Sequence, residues 1–300
     1  MHNKSGIMKK IILLCSVAVA LTACSRTQVD VQAHRGGMGL MPENTLAAMI
    51  NAVDLGVNTL EMDLAVTSDG KVVLSHDLYF HPRYSTRPDG TSVEKSDPRE
   101  YIWTMPYDSV LKYDVGVKEN ADWPEKKCQP AVKQLLSEVI AGVESYTAEK
   151  GLKSMKYNIE IKTSDKEGEG VNWPEYKQFV DVCATVLQAC ELGDRLIIQS
   201  FDPRALNYLN EKYPDFILSY LTRDTDVDFE KFMPLLNFTP EWISPNHKAV
   251  TAEFVAEAAN RGMKVVTWTV DEPEEMQRVI DLKVDAIITN YPDRLLKLLE

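Results

Sequence analysis

Past residue 28, short runs of β-branched and other apolar residues alternate with longer stretches in which apolar positions recur every three or four residues. The short runs predict strands over 29–33, 59–66, 156–161, 195–200, 216–221, 242–245, 264–270 and 285–289. The longer stretches predict helices that begin near Asn44, Ala131, Pro174, Pro203, Phe229, Thr251, Pro273 and Pro292. Eight strands, each followed by a helix, are typical of a (β/α)8 TIM barrel. We therefore expect an α/β protein with a single domain over 29–300.

One segment departs from this strand and helix repeat. After the second predicted strand, Ser68-Asp69-Gly70 indicates a tight turn, and residues 71–75 run back as a hairpin that ends at His76. Residues 77–130 then form a long stretch rich in proline, charge and aromatic side chains. Because loops of this length are usually functional or mobile, we expect an insertion that lies over the mouth of the barrel. The alternative is a surface excursion that makes no contact with a substrate.

The first residues predict a leader and not part of the fold. Met8-Lys9-Lys10 is basic, residues 11–20 are apolar, and Leu21-Thr22-Ala23-Cys24 follows. This is the pattern of a lipoprotein signal over 1–23, with Cys24 lipidated and 24–28 as a tether, and the apolar run is too short to span a bilayer. We expect a lipid-anchored protein of the bacterial cell envelope, on the periplasmic side of the outer membrane or on the cell surface. The alternative is a plain secretory signal.

The charge of the chain limits its partners. The formal net charge is −12 at pH 7, and removing the predicted leader takes away three lysines and no acid, which gives −15. Nucleic acid binding requires a basic surface, so we exclude that class of partner, whereas a small phosphate ester remains compatible. After the leader and Cys24, three cysteines remain, at 128, 183 and 190, and their spacing fits no zinc site. The sequence does not specify an oligomeric state.

Acidic residues recur at the ends of two predicted strands. Glu61 and Asp63 are two positions apart, so both carboxylates project from one face of their strand, and Glu160 and Lys162 repeat this spacing on the next one. The carboxyl ends of barrel strands converge on one mouth, so these four side chains are expected to share a site. Oxygen ligands of this kind predict one divalent cation, Ca2+ or Mg2+.

Two histidines and two cations complete the candidate chemistry. His34 follows the first predicted strand and His76 ends the hairpin, and histidine rings can accept or donate a proton near neutral pH. Arg35 offers a planar fork for phosphate oxygens, and Lys162 offers a point charge. This combination predicts metal-assisted cleavage of a phosphodiester.

Several short runs carry a family resemblance. In chain order they are His34-Arg35-Gly36, Pro42-Glu43-Asn44-Thr45, Glu61-Met62-Asp63, Asp69-Gly70, His76-Asp77, Glu160-Ile161-Lys162, Gln199-Ser200-Phe201-Asp202, Trp268-Thr269-Val270 and Ile287-Ile288-Thr289-Asn290. In order and spacing they resemble the glycerophosphodiester phosphodiesterase family. The resemblance implies a TIM barrel that uses a divalent cation to hydrolyse small glycerophosphodiesters to an alcohol and glycerol 3-phosphate.

The resemblance also implies roles for individual residues. The metal ligands would be Glu61, Asp63 and Glu160, the acid and base His34 and His76, and the phosphate-binding residues Arg35 and Lys162. Glu43 would be a further acid near the cation, either a ligand or a neighbour of the ligands. Trp268 would form an apolar wall for the substrate, although a plain core position is nearly as good an interpretation.

Two other functions are compatible with this pattern. One is a phospholipase-type phosphodiesterase that acts on intact lipids, and the other is a non-catalytic, membrane-tethered binding lipoprotein. The second predicts a broken motif, whereas every position for chemistry is filled here. The sequence leaves open whether water or the substrate's own 2-hydroxyl is the nucleophile.

Overall fold

The computed structural model describes residues 29–165, 168–223 and 228–300. The predicted signal peptide, Cys24 and the tether lie outside the described residues. The strands are β1 (Asp30–Ala33), β2 (Thr59–Val66), β3 (Val72–Leu74), β4 (Lys156–Ile161), β5 (Leu196–Ser200), β6 (Ile217–Thr222), β7 (Trp242–Pro245), β8 (Lys264–Thr267) and β9 (Ala286–Thr289). Eight of them pair in parallel in the cyclic order β1, β2, β4, β5, β6, β7, β8, β9, and β9 pairs with β1 to close the barrel. This confirms the predicted TIM barrel, with β3 added antiparallel to β2.

Helices connect the strands on the outside of the barrel. They are α1 (Leu46–Leu55), α2 (Tyr107–Val110), α3 (Leu136–Glu149), α4 (Tyr176–Ala189), α5 (Pro203–Lys212), α6 (Phe229–Phe232), α7 (Ala252–Asn260), α8 (Pro273–Asp281) and α9 (Pro292–Leu299). Side-chain caps fix several starts: Thr45 accepts from the Ala48 N–H at α1, and Thr251 accepts from the Phe254 N–H at α7. Proline occupies the first turn of α5, α8 and α9, where no N–H is needed.

Two predicted boundaries are wrong, and the first of these errors comes from distant pairings. α3 begins at Leu136 and not near Ala131, because residues 131–135 are extended. The Ala131 N–H donates to Asp114 Oδ2 at 2.9 Å, and Leu135 bridges to Val73 in β3. β8 ends at Thr267 rather than at residue 270. Local periodicity cannot show such pairings, because they depend on residues far away in the sequence.

The two faces of β2 separate the core from the barrel interior. Leu60, Met62 and Leu64 are fully buried in the main apolar core, and the alternating Glu61 and Asp63 face the other way. Buried polar side chains from several strands form a layer in the interior of the barrel, separate from the apolar core. In it, Asn158 Nδ2 on β4 donates to Gln32 Oε1 on β1 at 2.8 Å and to Gln199 Oε1 on β5 at 3.2 Å. Since β2 lies between β1 and β4, the first of these bonds reaches over β2 inside the barrel, where buried polar groups are paired with one another.

The segment 77–130 packs on the hairpin formed by β2 and β3. Its contact is a small apolar cluster of Ala65 and Val73 from the hairpin with Phe80, Val93, Ile102, Val110 and Val115 from the segment. The Phe80 and Tyr113 rings stack with centroids 3.7 Å apart, and Arg87 bonds Glu100. The cluster takes its residues from several short and separate runs, such as Leu78-Tyr79-Phe80 and Tyr101-Ile102-Trp103, so no periodic pattern in the sequence revealed it.

Two further expectations concern cysteines and membrane helices. The three cysteines at 128, 183 and 190 form no disulfide within the described ranges, and Cys183 is buried on α4. No helix within 29–165, 168–223 or 228–300 is long and apolar enough to cross a bilayer.

Candidate active site

Three carboxylates meet on the neighbouring strands β2 and β4. Asp63 and Glu160 are paired residues of these neighbouring strands, and one oxygen each from Glu61, Asp63 and Glu160 lies within 4.8 Å of the others. All three side chains are buried. Burial and the negative charge of Asp63 raise the pKa of Glu61 well above its usual value. Burial likewise opposes the charge on Asp63, but the positive charges around it, above all that of Lys162, hold its pKa well below the usual value.

Hydrogen bonds fix the orientation of these carboxylates. Asn44 Nδ2 donates to Asp63 Oδ2 at 2.9 Å, and Asn44 Oδ1 accepts from the Asp63 N–H. Asn44 has φ of +56°, a left-handed conformation that asparagine tolerates better than most residues. Glu61 accepts from the Arg35 N–H at 2.8 Å and from Gln199 Nε2 at 3.0 Å, which ties the site to the polar layer. The carboxylates are therefore held in place before any ligand binds.

Two cations lie against the carboxylates. Arg35 Nη1 donates to Glu43 Oε1 at 2.9 Å, and its Nε lies 3.3 Å from Asp63 Oδ2. Lys162 Nζ lies 3.2 Å from Asp63 Oδ1 and 2.9 Å from Glu160 Oε2. The structure thus places Glu43 against Arg35 and not among the three converging carboxylates, which are Glu61, Asp63 and Glu160. Four acids and two cations leave an excess of negative charge, and oxygen-only donors fit a hard divalent cation such as Ca2+ or Mg2+.

A tight turn presents His34 and Arg35 beside this cluster. Gly36 has φ of +81°, and a Cβ placed on it would lie 2.7 Å from the Cβ of Ala48 in α1. Only glycine fits so close to the helix in this conformation. The turn therefore packs directly on α1, and it leaves β1 with both functional side chains at the carboxyl end of the strand.

The His34 ring is held in one tautomer. Asn290 Nδ2 donates to Asp271 Oδ2 at 2.7 Å, so the amide oxygen of Asn290 faces His34 Nδ1. Nδ1 must then carry the proton, and Nε2 is left as the acceptor, 4.0 Å from Glu61 Oε2. Burial, helped by the positive charge of Arg35, lowers the pKa of His34 to about 3, which keeps the ring neutral at pH 7.

His76 stands on the other side of the carboxylates, just after β3. Its Nδ1 lies 3.5 Å from Asp77 Oδ1, and Tyr84 donates its hydroxyl to Asp77 Oδ2 at 3.0 Å. Although burial opposes the charge on Asp77, the bonds from His76 and Tyr84 hold its pKa well below the usual value. His76 is one-third exposed, so a ligand can reach its ring while Asp77 orients it.

A buried lysine supports the turn that carries His76. Lys133 Nζ donates to Ser75 Oγ at 2.7 Å, and Ser75 Oγ donates to the backbone oxygen of Asp77. Lys133 Nζ also lies 5.5 Å from the Phe80 ring centroid and 5.3 Å from that of Tyr84. No carboxylate of the described chain lies within ion-pair distance of it. Burial without such a partner lowers the pKa of Lys133 to about 8.

We expect Lys133→Met to stabilise the fold at neutral pH. Folding lowers the pKa of this lysine, so the charged form carries a penalty that is full below pH 8 and disappears as the pH rises towards 10.5. After subtraction of the lost bond to Ser75, the gain in the free energy of unfolding should be about 2 kcal/mol at pH 7. Urea unfolding at pH 7 and pH 9.5 measures it, and the gain should shrink at the higher pH.

The exposed Lys153 provides the matched control for that measurement. Lys153→Met should change the free energy of unfolding by less than about 0.5 kcal/mol at either pH. A loss of stability in Lys133→Met at pH 7 would show that the charge of Lys133 stabilises the fold.

A cavity of about 150 Å³ joins the charged groups to an apolar wall. It is lined by His34, Arg35, Glu61, His76 and Glu160, and also by Gln199, Phe201, Leu221, Arg223, Trp268, Thr269 and Ile288. Trp268 donates its Nε1–H to the Ser244 oxygen at 2.9 Å, and its ring meets the Phe201 ring edge-on with centroids 5.4 Å apart. Trp268 lines the cavity and also packs on core residues, so its position is compatible with both interpretations made from the sequence.

Some residues of the site had no predicted role. Asn44, Gln199 and Asn290 lie inside the motif runs. Gln199 and Asn290 are polar residues at the ends of apolar strands, and that position could have indicated a role in the site. Asp271 and Lys133 gave no such signal, because they act on partners that are remote in the sequence.

Comparison with known proteins supports a single family. The sequence profile described as "Glycerophosphoryl diester phosphodiesterase family" matches residues 34–294. A glycerophosphodiester phosphodiesterase of Caldanaerobacter subterraneus subsp. tengcongensis is 26% identical over 269 residues, which cover 89% of this chain and 96% of that protein. A solved structure from Silicibacter pomeroyi, described as a candidate member, has a TM-score of 0.78 at 24% identity and covers 91% of this chain and 95% of that one. An Oleispira antarctica phosphodiesterase, solved with the product sn-glycerol-3-phosphate, has a TM-score of 0.71 at 21% identity, with 90% and 96% covered.

Proposed function

The chain belongs to the glycerophosphoryl diester phosphodiesterase family, whose enzymes hydrolyse glycerophosphodiesters, and we propose that it does so with a divalent cation, His34 and His76. The products would be glycerol 3-phosphate and an alcohol. The observation that carries this proposal is that one cavity is lined by both histidines, Arg35 and two of the three converging carboxylates. Geometry of this kind suits attack on a phosphodiester, since each charge that develops has a group to meet it.

The proposed cation is Ca2+ or Mg2+. Its ligands would be Glu61, Asp63 and Glu160, which are buried, supply only oxygen atoms and converge within 4.8 Å. When bound, such an ion supplies positive charge opposite the phosphoryl oxygens.

The phosphate would be bound by Arg35 and Lys162. Glu43 and Asp63 already hold the Arg35 guanidinium in place, so little side-chain freedom is lost when it meets a phosphate. Lys162 is fixed in the same way by Asp63 and Glu160. Both charges would therefore meet a phosphate with little rearrangement, which is the condition for electrostatic stabilisation of the transition state.

The two histidines would divide the proton transfers. His34 Nε2 is the acceptor of a neutral ring, so we assign it as the base that deprotonates the nucleophile, either water or the 2-hydroxyl of the substrate. His76, oriented by Asp77, would protonate the leaving alkoxide. Asn290 and Asp271 then act by holding the tautomer that this assignment needs.

The location in the cell is also a proposal. The leader pattern that ends at Cys24 supports a lipid-anchored enzyme of the bacterial cell envelope, with residues 24–28 as its tether. Fractionation of cells that express the full chain or a Cys24→Ser variant tests this. Equal membrane association of both would refute the anchor.

Hydrolysis is tested on a soluble form that begins at residue 25. Release of glycerol 3-phosphate from glycerophosphocholine, glycerophosphoethanolamine and glycerophosphoglycerol is followed after chelation and again with Ca2+ or Mg2+ restored. We expect no release with chelator and full release with one of the two ions. Release from micellar lysophospholipids alone would favour the phospholipase alternative. No release from any substrate, with the cation bound, would favour a binding lipoprotein.

A further inference from the structure

The cavity has two halves that come from different parts of the barrel. The first half consists of His34 and Arg35 after β1, His76 after β3, and the carboxylates on β2 and β4. Phe201, Arg223 and Trp268 follow β5, β6 and β8, which continue the cyclic strand order beyond β4. A diester whose phosphate is bound by the first half must direct one of its two substituents against the second half, because both halves line the same small cavity.

Arg223 is the charged side chain of this second half. Its guanidinium lies over the Phe201 ring, 4.1 Å from the centroid, and Phe201 is in turn held edge-on by Trp268. Stacking on a fixed ring restricts the long arginine side chain, so its charge is held at the cavity wall. No carboxylate of the residues that the structure describes lies within ion-pair distance of Arg223. Among the described residues, therefore, no acid offsets this charge; Asp224 and Asp226 follow Arg223 in the sequence.

The other residues of the second half carry no negative charge to meet a cationic group. They are Phe201, Leu221, Trp268, Thr269 and Ile288, and none is acidic. An aromatic face can bind a quaternary ammonium group, and Trp268 offers one at the cavity wall, but Arg223 with its positive charge covers a face of Phe201 beside it. A choline or ethanolamine group would thus meet a like charge, whereas an anionic group would meet a partner with a planar, bidentate fork.

We propose that Arg223 makes the enzyme selective for glycerophosphodiesters whose alcohol carries a negative charge, such as a second phosphodiester, over those that carry an ammonium group. This inference rests on the proposed hydrolysis of glycerophosphodiesters. It concerns the group beyond the reacting phosphate, and Arg223 is the specificity-determining residue.

Three water-soluble substrates separate charge from shape. Glycerophosphoglycerol has an uncharged alcohol, bis(glycerophospho)glycerol adds a second phosphodiester to the same alcohol, and glycerophosphocholine has a cationic one. Initial rates with the full, cation-loaded chain give kcat/KM for each, corrected for the two equivalent diesters of the second substrate. We expect the anionic substrate to exceed glycerophosphocholine by about tenfold or more, the size of effect that one partly screened charge contact gives.

Two variants assign this preference to Arg223. In Arg223→Met, kcat/KM for the anionic substrate divided by kcat/KM for the uncharged one should fall about tenfold. In Arg223→Glu the preference should reverse in favour of glycerophosphocholine. Because Arg223 is exposed, both variants are expected to fold, and circular dichroism checks this. Lys153→Met removes one positive charge just before β4, at the opposite end of the barrel, and should leave all ratios unchanged.

The outcomes are distinct. If Arg223→Met and the parent chain discriminate equally among the three substrates, the inference is overturned while hydrolysis of the uncharged substrate still supports the proposed function. If none of the three is hydrolysed, the proposed function itself fails, and the inference fails with it.

Discussion

His76→Ala is expected to lower kcat for hydrolysis of glycerophosphoglycerol by about 10²- to 10⁴-fold, the usual loss when a positioned general acid is removed. The ring stands one-third exposed at the cavity, and Asp77, held by Tyr84, fixes its orientation. Alanine leaves the turn that carries it intact, since Lys133 and Ser75 hold that turn from the other side. The melting temperature should therefore change little while turnover collapses.

The measurement is kcat and KM at saturating cation, together with the melting temperature of each variant. KM should change far less than kcat, because the proposed phosphate contacts come from Arg35 and Lys162 and not from His76. His247→Gln is the matched control, since that histidine pairs with Glu275 and does not line the cavity. Full activity of His76→Ala would eliminate the proposed acid and base pair.

Glu160→Gln should remove the response to the divalent cation. Glutamine keeps the size of the side chain but removes the charge of one of the three proposed ligands. We expect the affinity for Ca2+ or Mg2+ to fall by about 100-fold or more and kcat to fall with it. Repulsion among three buried carboxylates decreases, whereas the buried pair of Glu160 with Lys162 is lost and Lys162 keeps Asp63 as its partner. The stability of the cation-free variant should therefore change little.

Calorimetric titration with each ion and thermal unfolding with and without it measure both effects. At a free ion concentration of 100 times the dissociation constant, binding should stabilise the parent chain by about 2.7 kcal/mol and Glu160→Gln hardly at all. Glu253→Gln, an exposed carboxylate on α7, is the control and should behave like the parent. Unaltered affinity in Glu160→Gln would show that the cation does not bind at these carboxylates.

The sequence predicted the parts of this site that depend on short-range order. Alternation along β2 is a property of any strand, so the shared face of Glu61 and Asp63 followed from their spacing alone. Glu160 joined them because parallel barrel strands end at one mouth, and the register of β4 with β2 pairs it with Asp63. The eight-strand architecture followed from the same alternation of apolar runs.

The remaining parts depend on contacts that have no local signature. Asp271 sets the orientation of Asn290, and Asn290 sets the tautomer of His34, three residues that no sequence window contains together. Lys133 lies in a stretch whose periodicity predicts the start of α3. Pairing of residues 131–135 with Asp114 and with Val73 of β3 keeps this stretch extended instead. The apolar cluster of that segment is equally dispersed in the sequence.

The pairing of β1 with β9 has a consequence for how the chain folds. The first strand and the last strand of the barrel must meet, and the bond from His34 to Asn290 joins residues 256 positions apart. Contacts over so many residues raise the contact order of the fold. The chain loses the entropy of closing this long loop before the final pairing can stabilise it, so folding is expected to be slow. Until Ala286–Thr289 has been synthesised, β1 and β8 each keep an unpaired edge that can recruit other chains. Nascent chains are therefore vulnerable to aggregation, and enzymatic activity reports that the last strand has docked.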